Sequence, residues 1–162
     1  MRLLSLALAL LSAILVLGNS GFSSARGESG LSSLSPLGPF LDGTLPRTSA
    51  NLDTLAPGTL SATGAFDDLA NLEARPGLLP YGVNSPLWSD GARKRRWMAL
   101  PQDGVPDTPG EKIVFSETEP WEFPVGSVLV KHFEWLTEAG NPLAVRRLET
   151  RFLVHGEDGH YY

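Results

Sequence analysis

No cysteine occurs among the 162 residues. That absence removes disulfides, thiolate metal sites, a cysteine nucleophile and thioether-linked haem from this chain. Histidine is nearly as scarce, with His132, His155 and His160 the only three. A turn separates His155 from His160, which lets them approach across a hairpin, while His132 belongs to a different strand. No His-x-x-x-His pair is present and zinc ligands normally group more tightly than these, so surface or partly packed histidines are expected and no metal site is predicted. A Gly-x-Ser-x-Gly nucleophile elbow is missing, as is a phosphate-cradling glycine loop. Acid pairs do occur, Asp67 with Asp68 and Glu117 with Glu119. They sit in turn-like settings, and nothing marks one as a raised-pKa acid beside an ionised partner. No catalytic residue is predicted. Positive charge is also in deficit, 13 Lys and Arg against 18 Asp and Glu for a net charge of −5, which leaves no electrostatic basis for nucleic acid.

Long apolar runs are confined to the amino end. Leu3 to Gly18 spans sixteen uncharged small or apolar residues, preceded by Arg2 and followed by Ser23-Ser24-Ala25 ahead of Arg26. Basic start, apolar core and small-residue exit are the parts of a secretory signal peptide, here residues 1–25. A spanning helix wants about 20 apolar residues, so a membrane anchor is disfavoured and no stable span is expected after cleavage. The chain is therefore predicted to be exported, to the periplasm or the medium. Removing the signal leaves 137 residues with 12 basic against 18 acidic side chains, a charge of −6. That length suits one domain. Without disulfides such a domain depends on its core, for which four Trp, seven Phe and three Tyr are available.

Residues 26–60 are rich in Gly, Ser, Pro and Thr, with leucines at neither helical nor strand spacing, and read as a flexible, extended leader. A mostly β domain is predicted over 61–162, an antiparallel sheet or sandwich-like unit. A short helical patch is allowed over Ser61 to Leu72, where Phe66, Leu69, Ala70 and Glu73 share a helical spacing; Pro76 stops it. Strands are predicted at Arg95 to Leu100, Ile113 to Phe115, Ser127 to Leu136 and Leu143 to His155, with Trp121 to Gly126 as a lead-in and turn. Along the last strand Leu148, Thr150, Phe152 and Val154 alternate with Arg147, Glu149, Arg151 and Leu153, the first set facing a core. Gly156 to Gly159 is a hairpin turn, after which His160, Tyr161 and Tyr162 begin a returning strand. An unpaired strand edge is costly, so a missing partner is expected: a sheet incomplete at its carboxyl end, as in a fragment, a truncated frame or half of a larger sheet.

Two surface features stand out. The loop Asn84 to Asp90 combines turn residues with a large aromatic, and Arg93 to Arg96 is a run of four cations beside Trp97. On a strand the run divides, Lys94 and Arg96 to one face and Arg93 and Arg95 to the other. Asn84, Ser85, Trp88, Asp90, Lys94, Arg96 and Trp97 are the ligand- or partner-binding candidates, because loops on a rigid β scaffold are where recognition is usually placed. They suit an acidic partner, or a sugar or aromatic ligand stacked on Trp. A purely structural role, with Asn84 and Asp90 capping turns and the tryptophans in the core, is the competing reading.

Four blocks occur in order: Leu79 to Ala92, Lys94 to Pro101, Phe123 to Phe133, and Leu148 to His155. Together they resemble the amino-terminal portion of a family of exported bacterial c-type cytochromes, some members of which are fused to a quinoprotein-like glucose/sorbosone dehydrogenase propeller. The resemblance covers roughly residues 60–162. It implies an accessory β domain that packs against a downstream or separate haem or quinoprotein domain. In that family the Cys-x-x-Cys-His haem sites follow the β segment, and this chain has none. Haem c is thus expected only in a longer relative, and no cofactor is expected here. The alternative is a small exported module that binds carbohydrate or a partner.

Overall fold

The computed structural model describes residues 37–162 except 44–46, 49, 86–87, 89–90, 104 and 106–107. The predicted signal peptide and the first part of the leader lie outside the described residues, as does Asp90. The fold is mostly β and antiparallel throughout, as the sequence predicts. A hairpin of β1 (Phe66–Asp68) and β2 (Glu73–Ala74) accompanies an open sheet of β3 (Leu79–Pro80), β4 (Arg93–Ala99), β5 (Val128–Leu136) and β6 (Val145–Val154) in the order β3-β4-β5-β6. Helical structure among the described residues is limited to one turn at Leu52–Leu55 and 3-10 turns at Ser61–Thr63 and Pro109–Glu111. None of their helices is long and apolar enough to cross a membrane.

Why these stretches become strands follows from their side chains. Val128 to Leu136 and Val145 to Val154 are rich in β-branched and aromatic residues, which suit a pleated, half-buried surface. Alternation then gives the sheet two faces. On the inner face the register aligns Ala99 with Val128 and Val154, then Trp97 with Val130 and Phe152. Leu37, Leu41, Phe66, Leu72 and Leu78 close over them to form the core. Phe66 meets Trp97 edge-on, with ring centroids 5.1 Å apart at 79°, worth about 0.5–1.5 kcal/mol beyond the area buried.

Three expectations are revised. The leader is not loose throughout, because Leu37 and Leu41 are 1% and 0% exposed in the core and Arg47 is fastened to the carboxyl-terminal turn. Its amide donates to Glu157 at 3.1 Å and its carbonyl accepts from the Glu157 amide at 2.9 Å. Ser61 to Leu72 is not a helix: a 3-10 turn ends at Gly64, in the left-handed region at φ 69°, and β1 follows. Ile113 to Phe115 contributes only a single bridge, Val114 to Glu122, and Val114 and Phe115 stay exposed. The returning segment after the hairpin is present, with a bridge between His155 and Tyr161.

Candidate functional site

The outer face of the sheet carries the charge. There the register aligns Arg96 with Lys131 and Lys131 with Arg151, three cations side by side on β4, β5 and β6. Directly opposed residues stand about 4.5–5.5 Å apart at Cβ, where like charges repel. The adjoining row is Lys94, Phe133 and Glu149. Phe133 is buried beneath the neighbouring cations, with the Lys131 amine 4.8 Å and the Arg151 guanidinium 5.2 Å from its ring centre. Glu149 is the one acid within this cluster and is held by Arg151 at 2.6 Å. Among the described residues neither Arg96 nor Lys131 makes an ion pair. Burial pushes the Lys131 amine below its ordinary value, repulsion from Arg96, Lys94 and Arg151 pushes it the same way, and Glu149 pulls against them. Tyr81 borders the patch, its amide donating to the Arg96 carbonyl at 3.1 Å. Its phenol is raised by burial and partly restored by Arg96. The patch is thus a cationic surface, intermediate in exposure at Lys94, Arg96 and Lys131 and open at Arg151, in a chain that is acidic overall.

The predicted residues divide across the sheet. Lys94 and Arg96 lie on this outer face, as alternation requires. Trp97 does not join them: it is 4% exposed, on the inner face, with the Arg95 guanidinium 4.9 Å from its ring centre. Trp97 is therefore withdrawn as a ligand-binding residue, because a residue adjacent to Arg96 on a strand must point the other way. Trp88 is 78% exposed, and Asn84 and Ser85 are exposed as well. These three belong to the connection between β3 and β4, which places their loop at the sheet edge beside β4.

A polar half of the inner face was not foreseen. Beyond the apolar rows come Arg95, His132 and Thr150, then Arg93, Glu134 and Arg147. A bulge at Leu148 shifts the alternation of β6. It returns Arg147 to the inner side and leaves Leu148, expected in the core, 51% exposed. The turn between β1 and β2 rests on this polar half. Arg95 donates to the carbonyls of Asn71 and Leu72, both at 3.1 Å, and Arg147 donates to those of Leu69 and Ala70. Two guanidiniums thus grip four successive carbonyls. Asp68 shapes the same turn through the amides of Ala70 and Asn71. The signal in the sequence is six charged or polar residues at inner positions of three consecutive strands, with Arg147 hidden by the bulge.

His132 lies within that half. It is 2% exposed, Nδ1 meets the Thr150 hydroxyl at 2.8 Å, and Nε2 has no hydrogen-bond partner, with Glu134 4.0 Å away. Burial lowers its pKa from the usual 6.5, against the pull of Glu134. The other histidines occupy separate settings. His155 stacks on Tyr161 with centroids 4.6 Å apart, and His160 turns to Asp158. Among the described residues no three His, Asp or Glu side chains are gathered as a metal would require.

No protein-family model matches the chain, no curated protein matches it, and no solved structure matches it.

Proposed function

We propose that this chain is an exported accessory β domain whose outer sheet face docks an acidic partner, a haem or quinoprotein redox domain. One observation carries the docking: Arg96, Lys131 and Arg151 stand in register on adjoining strands, and among the described residues neither Arg96 nor Lys131 has an ion-pair partner. Cations held side by side raise the energy of the free domain, and an anionic surface relieves that repulsion, so part of the binding free energy is stored in the fold. The partial burial of Arg96 and Lys131 strengthens the effect, since charges at a partly desolvated interface interact more strongly than in open water. The redox nature of the partner rests on the resemblance of the four sequence blocks to the non-haem part of exported c-type cytochromes. Export rests on residues 1–25.

The test immobilises the domain and passes over it the exported proteins of its source cell, reading haem and quinone-cofactor absorbance in the bound fraction. Haem protein or quinoprotein is retained at low salt and released at high salt, as surface charge pairs are screened. The double variant Arg96→Glu, Lys131→Glu retains several-fold less. Equal retention by both forms contradicts the docking face, and retention without haem or quinone-cofactor absorbance contradicts the redox partner.

The exposure of Trp88 favours a second reading, a carbohydrate-binding loop in which a sugar stacks on the indole beside Asn84 and Ser85. Tryptophan emission that shifts with one glycan of a panel, and no longer does so in Trp88→Ala, is the result this reading requires. Emission unmoved by every glycan removes it.

A further inference from the structure

We infer that the tip of the β5–β6 hairpin enters the interface of an anionic phospholipid bilayer, with Trp135, Leu136 and Leu143 at the acyl boundary and Arg146 among the headgroups. β4 reaches only to Arg93, opposite Glu134, so beyond that row β5 and β6 run on as a two-stranded ribbon. Its last paired rows are Trp135 with Arg146 and Leu136 with Val145. Alternation puts Trp135 on the outer side with Phe133, and Leu136 on the inner side with Glu134. Trp135 is 43% exposed, Leu136 is exposed as well, and Leu143 in the turn is 88% exposed. Apolar side chains are thus open on both sides of the ribbon and at its end. Exposed apolar surface of this kind marks an interaction site. A groove on a protein covers one side of a ribbon, whereas a fluid bilayer surrounds its whole tip. Tryptophan, with an apolar body and one polar N–H, favours the membrane–water boundary.

Entry into a medium poor in water requires that polar groups be bonded within the protein, and the turn meets that condition at several points. The Thr137 amide and hydroxyl both donate to the Ala144 carbonyl, at 2.8 and 3.0 Å. The Ala144 amide donates to the Asn141 carbonyl at 3.2 Å, and the Leu143 amide to the Asn141 side-chain oxygen at 3.1 Å. Glu138, the one acid from Thr137 to Arg147, accepts from the Asn141 side-chain amide at 2.9 Å. The Pro142 carbonyl accepts from the Arg93 guanidinium at 3.2 Å, which fixes the turn to the sheet. Charge agrees with an anionic surface. Arg146 is exposed directly opposite Trp135, where a cation is drawn to anionic headgroups. The row of Arg96, Lys131 and Arg151 lies two rows further back on the outer face, so the tip is a surface distinct from the docking face and the inference does not rest on it.

Because the chain has no cysteine, Leu143→Cys creates a single site for a polarity-sensitive dye. The whole chain so labelled is titrated with vesicles of phosphatidylcholine, with and without a third of phosphatidylglycerol. A second form labelled at His160→Cys, beside the far end of β6, serves as the control. With phosphatidylglycerol the dye at position 143 is expected to shift to the blue and saturate, while the dye at position 160 stays unmoved. Without it, the vesicle concentration for half the shift is expected to rise about tenfold or more. Sedimentation of unlabelled chains is expected to show binding weakened about tenfold or more in Trp135→Ala, Leu143→Asp, and about fivefold in Arg146→Ala. The replaced side chains are exposed, so an unchanged urea midpoint is expected in each variant. All forms carry the apolar residues 1–25, so a chain that sediments with vesicles while the dye at position 143 stays unmoved overturns the inference. Equal shifts at both dye positions, or equal titrations with the two vesicles, also overturn it. A dye at position 143 that ignores vesicles and responds to an acidic c-type cytochrome overturns it too, and assigns the tip to a protein partner.

Discussion

At the scale of single residues, His132 is the ionisable group on which the fold places the tightest condition. Its imidazole is enclosed between β4 and β6 under the turn that Arg95 and Arg147 hold, and among the described residues Nε2 finds no hydrogen-bond partner. Burial depresses its pKa below 6.5, with Arg147 and Arg95 acting in the same direction and Glu134 against them. The folded state therefore disfavours the proton that the unfolded chain accepts. The resulting contribution is intact above pH 6.5 and lost as pH falls below it. Asp68 and Asp158 have carboxyl groups depressed below 3.8, chiefly by hydrogen bonds from Asn71 and Tyr162 respectively. Their contribution is present above 3.8 and fails only at lower pH, so the windows do not overlap. The urea midpoint of the native chain is expected to fall between pH 7.5 and 5, and that of His132→Gln to fall less. Equal slopes for the two proteins would show that His132 stays free to titrate.

At the scale of elements, the inner face is closed by a segment that composition marks as loose. Leu41 is fully buried, and replacing it by alanine is expected to cost about 2–5 kcal/mol in chemical unfolding, the range for core leucines. A cost below about 0.5 kcal/mol, typical of surface positions, would mean that residues 37–43 do not belong to the core. The long strands were legible because Val128 to Leu136 and Val145 to Val154 combine alternation with β-branched and aromatic residues. The division of Lys94 and Arg96 from Arg93 and Arg95 was legible for the same reason, a period of two. Leu37 and Leu41 were not, since two leucines in a Ser-, Gly- and Pro-rich stretch follow no period. Their burial depends on distant contacts, with Gly43 set against Pro101 so closely that a β-carbon would come within 2.8 Å of the proline side chain. Arg147 escaped because one bulge residue inverts the pattern beyond it. The cationic row was half legible: Arg96 was named from its own run, but Lys131 and Arg151 join it only through the strand register.

At the scale of the whole molecule, charge is segregated rather than scarce. A chain of net charge −5 concentrates Lys94, Arg96, Lys131 and Arg151 on one sheet face, while Arg93, Arg95 and Arg147 are spent on the other side, on Glu134 and the carbonyls of the Leu69 to Leu72 turn. The two sets act differently. The inner arginines fix a turn over a polar half-core, and the outer cations are held where a partner can reach them. Complementary charge of this kind raises association rate and selects partners more than it adds affinity, which is consistent with the docking role proposed above. The most direct measurement is amide-shift mapping of the isotopically labelled domain on addition of an acidic c-type cytochrome. The docking account predicts the largest shifts at Lys94, Arg96, Lys131 and Arg151, collapsing at high salt. Shifts confined to the loop around Trp88, or none at these four residues, would contradict it.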